Sequence, residues 1–308
     1  MIVPEGTDVV AATAALLAEG IGDGLPVVPP TPSRVAAALE GVDDPDAVLG
    51  LVPPLFGSLT PRLVATCCVI AGAPAAALPV VLAAATACLA PELNLLGVAT
   101  TTGTAAVAVV VSGPVGARIG LTHRTGMLGP GPHTNGAVGR ALALTLATAG
   151  GVRAGETTMA TTAQPARYTC CLAADPDGPW TTPVDAVTVL PIGGTAEVLP
   201  RDDYPDPDAV LEALADALAG AVRAAGDLGR GGEMTQAVVL PPEVATRLAP
   251  TFPEVDALVS ALRERGAAAL GGRPCAAEIL PIVAGGPGVK MLHLPGWMGG
   301  SRPVTLAM

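Results

Sequence analysis

The unbroken apolar run at residues 105–111 constrains the fold more than any other stretch. It reads A-A-V-A-V-V-V, with Thr100, Thr101 and Thr102 just before it and Ser112-Gly113-Pro114 just after it. A run of that length without polar alternation predicts a strand covered on both faces. Similar apolar runs alternate with helical segments along most of the chain, which places it in the α/β class.

Half of the 308 residues are hydrophobic but only 2% are aromatic, so the core must be Ala/Val/Leu packing with close backbone approach. The 38 glycines and 32 prolines punctuate periodic segments rather than forming a low-complexity tract, which argues against disorder. A formal net charge of −11 without a basic stripe excludes a nucleic-acid binder. Six cysteines include the adjacent pairs Cys67-Cys68 and Cys170-Cys171 but no C-x-x-C. Neither a zinc site nor a thioredoxin-like dithiol is written there, and neighbouring cysteines rarely bond to each other. Buried, reduced thiols are expected, with no cofactor, metal or structural disulfide. The most apolar run, 75–90, is short for a membrane span and is broken by Pro79. A soluble, cytoplasmic protein with no membrane partner is the expectation.

Capping residues, prolines and periodicity predict helices from a Thr7 cap to 19, then at 32–40, 61–71, 74–89, 114–119 and 135–149. Further helices are expected at 205–225, from Pro241-Pro242 onward, and at 254–269. Strands are expected at 98–99, 105–111, 167–172, 186–192, 237–240, 279–284, 289–294 and 304–306. This is a largely buried sheet with strands alternating with helices. The turn-dense segment 174–186 divides it into two α/β lobes, residues 1–173 and 186–308. No spacing recurs strongly enough to mark an internal repeat.

The chemistry concentrates where this chain is least hydrophobic. The loop at 122–135 holds His123, Arg124, His133 and Asn135 among glycines at 126, 129 and 131, and Arg140 follows in the next helix. Glycines before a helix expose backbone N–H groups that cradle anions. Arg124 and Arg140 offer bidentate carboxylate recognition, while Thr100, Thr101, Thr102, Ser112 and Asn135 supply neutral donors. His123 or His133 is the candidate acid–base residue, since imidazole titrates nearest neutrality. Lys290, His293, Trp297 and Ser301 are candidates from the other half, Lys290 as a further catalytic group and Ser301 as a substrate ligand. These groups are expected to converge on one site, with 285–301 closing it. In the competing structural reading the glycine turn packs a helix, Lys290 lies on the surface and Arg140 forms a salt bridge. Asp23 and Thr31, at the ends of the D-G-L-P-V-V-P-P-T phrase, are either ligand-facing or part of a connection.

The phrases T-T-T, S-G-P, G-x-x-G-P-G, N-x-x-x-G-R-A, R-Y-T-C-C-L-A, P-W and V-A-G-G, with the opening D-G-L-P-V-x-P-P-T form, resemble an uncharacterised bacterial family. The resemblance runs from about Gly22 to Thr305. That family is associated with small redox proteins bearing a selenocysteine- or cysteine-Gly-Ser-Cys motif, themselves similar to the catalytic subunits of glycine-reductase-type enzymes. The chain departs from the family's pattern at Gly103, where a histidine is expected, and at Lys290-Met291-Leu292, where Lys-His-Ser is expected. The resemblance implies an enzyme, or the substrate-binding subunit of one, with a small Cys/Sec redox protein as partner. Its substrate would be a small organic acid or thiol derivative, and its chemistry lyase- or reductase-type. A non-catalytic scaffold subunit and a phosphate- or nucleotide-binding protein are the alternatives. The small-residue core and high apolar fraction lead us to expect a homo- or hetero-oligomer.

Overall fold

A computed structural model describes residues 1–201, 206–226 and 228–308. In chain order the elements are α1 (Val9–Ala18), α2 (Pro32–Ala38), β1 (Gly50–Val52), β2 (Gly57–Leu59), α3 (Pro61–Ala71), α4 (Leu78–Ala87), α5 (Leu95–Thr100), β3 (Ala106–Ser112), α6 (Val115–Arg118) and α7 (His133–Gly150). There follow β4 (Cys171–Ala173), β5 (Ala186–Ile192), β6 (Ala196–Val198), α8 (Pro207–Ala224), β7 (Thr235–Leu240), α9 (Pro242–Leu248), α10 (Val255–Ala269), β8 (Glu278–Val283), β9 (Met291–Leu294) and β10 (Val304–Ala307). The protein is α/β, as the alternation of its segments predicts.

Two four-stranded sheets carry the fold, in the orders β10-β5-β3-β4 and β6-β9-β7-β8. Each has one parallel pair, β3 with β4 and β7 with β8, and is otherwise antiparallel. The two sheets therefore share one plan: a first strand, a helical crossover to a parallel neighbour, then an antiparallel return. The fourth strand of each plan is exchanged. β6 follows β5 in the chain but pairs in the second sheet, while β10 follows β9 and pairs in the first. The turn-rich segment at 174–185 thus lies between strands of one sheet, and the chain crosses to the other sheet only after Ile192.

The period of two in β3 explains how the layers stack. Val109 and Val111 point to one side and pack with Val187, Val189 and helices α3, α4 and α7. Ala106, Ala108 and Val110 point to the other side and meet Ala237 and Val239 of β7, with Leu172, Leu190, Ile192 and Leu294 around them. Val238 and Leu240 of β7 turn outward onto α8, α9 and α10. The order of layers is helices, sheet, sheet, helices. Small residues at the sheet–sheet face answer the shortage of aromatics. Burying each such valine contributes about 1.5–3 kcal/mol relative to exposure, so β3 is fixed from both faces.

Close approach also sets the position of α7. A Cβ on Gly139 would stand 2.4 Å from Thr169 Oγ1 and 2.8 Å from the Cys170 nitrogen. The helix can rest on the segment leading into β4 only because this residue has no side chain. Gly151, at φ 66°, ends the helix in the left-handed conformation.

Several local expectations are corrected. Asp8, not Thr7, caps α1, its side chain accepting from the Ala11 N–H, while the Thr7 hydroxyl donates to the Pro4 carbonyl. Residues 98–99 are helical because Asn94 caps α5 through the Gly97 N–H. The strand expected at 167–172 starts only at Cys171, since Pro165–Arg167 forms a 3-10 turn. The single helix expected at 74–89 is a 3-10 turn, Ala75–Ala77, followed by α4 with Pro79 in its first turn. The expected start of the acidic helix at Pro205 lies outside the described residues. Among the described residues, no single helix is long and apolar enough to cross a membrane.

Candidate functional site

Both parallel pairs send the C-terminal ends of their strands to the same place. Beyond β4, the Asp175 N–H donates to the Val283 carbonyl at the end of β8 (2.7 Å). Beyond β7 and β8, the Ala284 N–H donates to the Leu240 carbonyl and the Gly285 N–H to the carbonyl of His123 (2.6 Å). The loops leaving these strands thereby lace together around a crevice, the usual location of sites in α/β sheets.

His123, Arg124, Thr125, Asp175, Glu243 and Gly286 line this crevice, which encloses about 320 Å³. His123 Nε2 lies 3.6 Å from Asp175 Oδ1, within ion-pair range and beyond hydrogen-bond distance. Both side chains are mostly buried, at 19% and 14% exposure. Asp175 is held from two directions, since its Oδ1 also accepts from the Asp177 N–H at 3.1 Å. A carboxylate so fixed orients the ring beside it. Arg124 is exposed at the mouth, and among the described residues no hydrogen bond or ion pair holds its guanidinium. A Cβ on Gly286 would stand 2.2 Å from Thr125 Oγ1, so the glycine is what lets the two loops close on each other. Asp175 and Ser112 also line a second, mainly apolar cavity of about 170 Å³ beneath Trp180, between β3 and β8.

No family model matches the chain, and no curated protein matches it. A crystal structure of a cyanuric acid hydrolase from A. caulinodans is similar over 68% of this chain and 60% of its own length, at 13% identity and a TM-score of 0.23. A likeness that faint informs neither the site nor its chemistry.

The expected site residues do not form one cluster. Ser112, His123 and Arg124 meet around Asp175. Thr100, Thr101 and Thr102 lie before the other end of β3, roughly 20 Å away at about 3.3 Å per residue. There the Thr100 hydroxyl donates to the Leu96 carbonyl and Thr101 Oγ1 accepts from the Gly103 N–H. Asn135 is 1% exposed and braces the loop, its Oδ1 accepting from the Thr122 N–H and its Nδ2 donating to the Thr122 carbonyl, both at 2.9 Å. His133 is exposed at the first position of α7, beside Gly72 at the end of α3.

Arg140 is held within the protein through Nε and Nη2. Its Nε donates to Asp23 Oδ2 at 2.7 Å and its Nη2 to Asp23 Oδ1 at 2.9 Å, with the Pro26 carbonyl at 3.0 Å. The arginine and aspartate read as ligand-facing therefore hold each other. Thr31 is buried, its hydroxyl against Ser33. Lys290 forms an exposed 3.8 Å ion pair with Glu197. His293 is buried, Nε2 donating to Gln236 Oε1 at 2.7 Å, while Gln236 Nε2 donates to the Leu218 and Cys275 carbonyls. Burial pushes the His293 pKa down to about 4, so the ring is neutral. Ser301 is buried at the opposite end of the sheets from His123, near Asn94 and Glu92.

All six cysteines are buried. Burial pushes the thiols of Cys67 and Cys170 up to about 12 and those of Cys68, Cys88 and Cys171 higher still. Such thiols are packing residues, not nucleophiles. Asp175 is the residue of the candidate site that the sequence did not point to. It sits in A-D-P-D-G-P, which reads as a turn, and its only signal was a carboxylate two residues beyond an apolar strand.

Proposed function

We propose that this protein is an enzyme that moves a proton on a small organic acid bound at the crevice between the two sheets. The observation that carries the reading is the His123–Asp175 pair facing a free Arg124 guanidinium at the ends of four strands. His123 is the acid–base residue, with Asp175 fixing its orientation and stabilising the imidazolium as the proton arrives. Arg124 receives the substrate carboxylate in a bidentate grip. Glu243, on the facing wall, suits a hydroxyl or amino group on the same substrate. The apolar cavity beside Ser112 takes the substrate's side chain.

Proton transfer next to a carboxylate is the step that lyases acting on such acids require, and it needs no redox centre. A reductase-type reaction would need an electron donor, and the family resemblance offers a small cysteine or selenocysteine protein in that part.

The test is hydrogen–deuterium exchange at carbon, followed by NMR in deuterated water over a panel of 2-hydroxy, 2-oxo and 2-amino acids. It detects proton abstraction before the product is known. Exchange should fall by about 10²–10⁴ in His123→Gln. Arg124→Gln should chiefly raise the substrate concentration needed for half-maximal exchange. A panel that gives no exchange, or exchange untouched by His123→Gln in a folded protein, would overturn the reading.

A further inference from the structure

At the start of β3, far from His123, Arg167 is placed in a way the rest of the fold does not explain. Its Nε donates to the Ala105 carbonyl at 2.8 Å and its Nη1 to Thr158 Oγ1 at 3.1 Å. Its Nη2 is buried and has no partner. Among the described residues no carboxylate pairs with this guanidinium, in contrast to Arg140, which has Asp23. A buried donor on a charged group with no acceptor is costly, and structures rarely keep one without a use.

The same arginine forms one wall of a cavity of about 120 Å³ between α5, α7 and the helix-facing side of β3. The other walls are hydrocarbon, among them Leu95, Val98, Val107, Leu142 and Leu146. The cavity is comparable with engineered apolar cavities of about 150 Å³ that take up benzene. A pocket lined mainly by hydrocarbon, with an arginine that lacks a carboxylate partner on one wall, is complementary to a molecule with a compact hydrocarbon body and a single negative head.

We infer that this cavity is a second ligand site, one that takes a monocarboxylic acid of about six carbons or fewer. The Arg167 guanidinium receives the carboxylate, and the tail lies between α5 and α7. The site is separate from the His123 crevice, because β3 runs between them with Val107 near one end and Ser112 at the other. A ligand here touches α5, α7 and the 3-10 turn at Pro165–Arg167 together. Occupancy would therefore tie the segment before β4 to the helix that follows the His123 loop.

The experiment is calorimetric titration of the full chain with 3-methylbutanoate and cyclopentanecarboxylate, using 3-methylbutanamide as the neutral match. The acids should bind, and the amide should bind at least about tenfold more weakly. Arg167→Gln should weaken acid binding by at least about the same factor. Ala143→Leu, which fills the cavity and leaves the guanidinium in place, should abolish it and carries the test if Arg167→Gln does not fold. His123→Gln should leave this binding unchanged. Failure of both acids to bind at millimolar concentration, equal binding of acid and amide, or acid affinity that survives Ala143→Leu would each overturn the inference.

Discussion

Replacing Arg140 with alanine is the sharpest test of how the structure reassigns its charges. The substitution removes two hydrogen bonds to the Asp23 carboxylate and two to the Leu25 and Pro26 carbonyls. It leaves the carboxylate with the Leu25 N–H at 3.1 Å. Breaking a buried ion pair by removing one member costs about 3–5 kcal/mol. These side chains keep 15% and 16% exposure, so some water reaches them, and about 2–4 kcal/mol is the better expectation. For a chain of 308 residues that corresponds to a drop in Tm of roughly 3–6 °C.

The pH dependence has a defined sign. Burial pushes the Asp23 carboxyl up, but the hydrogen bonds from Arg140 and Leu25 together outweigh it, so its pKa lies below the ordinary 3.8. A depressed folded pKa means that the stabilisation is complete above about 3.8 and is lost as pH falls through the lower folded value. Urea unfolding of wild type and Arg140→Ala should therefore differ by the full amount near neutrality and converge in acid. In a double-mutant cycle, Asp23→Asn should account for most of the Arg140→Ala effect. Unchanged stability together with weakened binding of small carboxylates would refute this account and return Arg140 to a ligand site.

Two further outcomes follow from single residues. The His293 pKa is lowered by burial from 6.5 to about 4, so the neutral ring stabilises the fold fully above 6.5, and about 3 kcal/mol is lost as pH falls toward 4. Unfolding measured across that window should show the slope in wild type and lose it in His293→Gln; a flat wild-type profile would contradict the buried neutral ring. Gly139→Ala should cost about 1–3 kcal/mol by forcing α7 off Thr169 and Cys170, whereas Gly136→Ala, with nothing within 4 Å, should be neutral or stabilising by up to about 1 kcal/mol. Equal Tm values for the two variants would count against the close packing of α7.

What was legible in the chain is what local pattern decides. β5 occupies the 186–192 predicted for it, and β3 and α7 lie within one or two residues of theirs, because an unbroken apolar run and a Gly-Gly stop are strong short-range signals. The exchange of β6 and β10 between the sheets was not legible. Those strands span three and four residues, and nothing in A-E-V or V-T-L-A says which sheet offers the matching edge. Residues 98–99 looked like strand because valine and alanine suit either state, and one side chain, Asn94, settles the matter by capping. The His123 and Arg124 loop was legible as a polar island in an apolar chain, but its partner Asp175 was not. That contact depends on β4 lying parallel to β3, a pairing between residues more than 50 positions apart.

The arginines show why chemical type alone misplaced part of the site. Arg124 and Arg140 read as one anion site because they share a loop and the helix after it, while Arg167 read only as the start of a strand. The structure sorts them by partner instead. Arg140 has a carboxylate from 117 positions away and is satisfied. Arg124 is exposed with no partner among the described residues, so water can solvate it. Arg167 has neutral acceptors for two nitrogens and none for the third, which water does not reach. An exposed free guanidinium costs the fold little, so its position is weak evidence until a neighbour such as the His123–Asp175 pair gives it something to do. A buried unpaired one costs the fold at least about 1–3 kcal/mol. That cost makes the apolar cavity beside Arg167 a place where a small acid would raise stability as it binds, by RT ln(1 + [L]/Kd). A rise in Tm with 3-methylbutanoate in wild type, absent in Ala143→Leu, would therefore report the same site without any assay of activity.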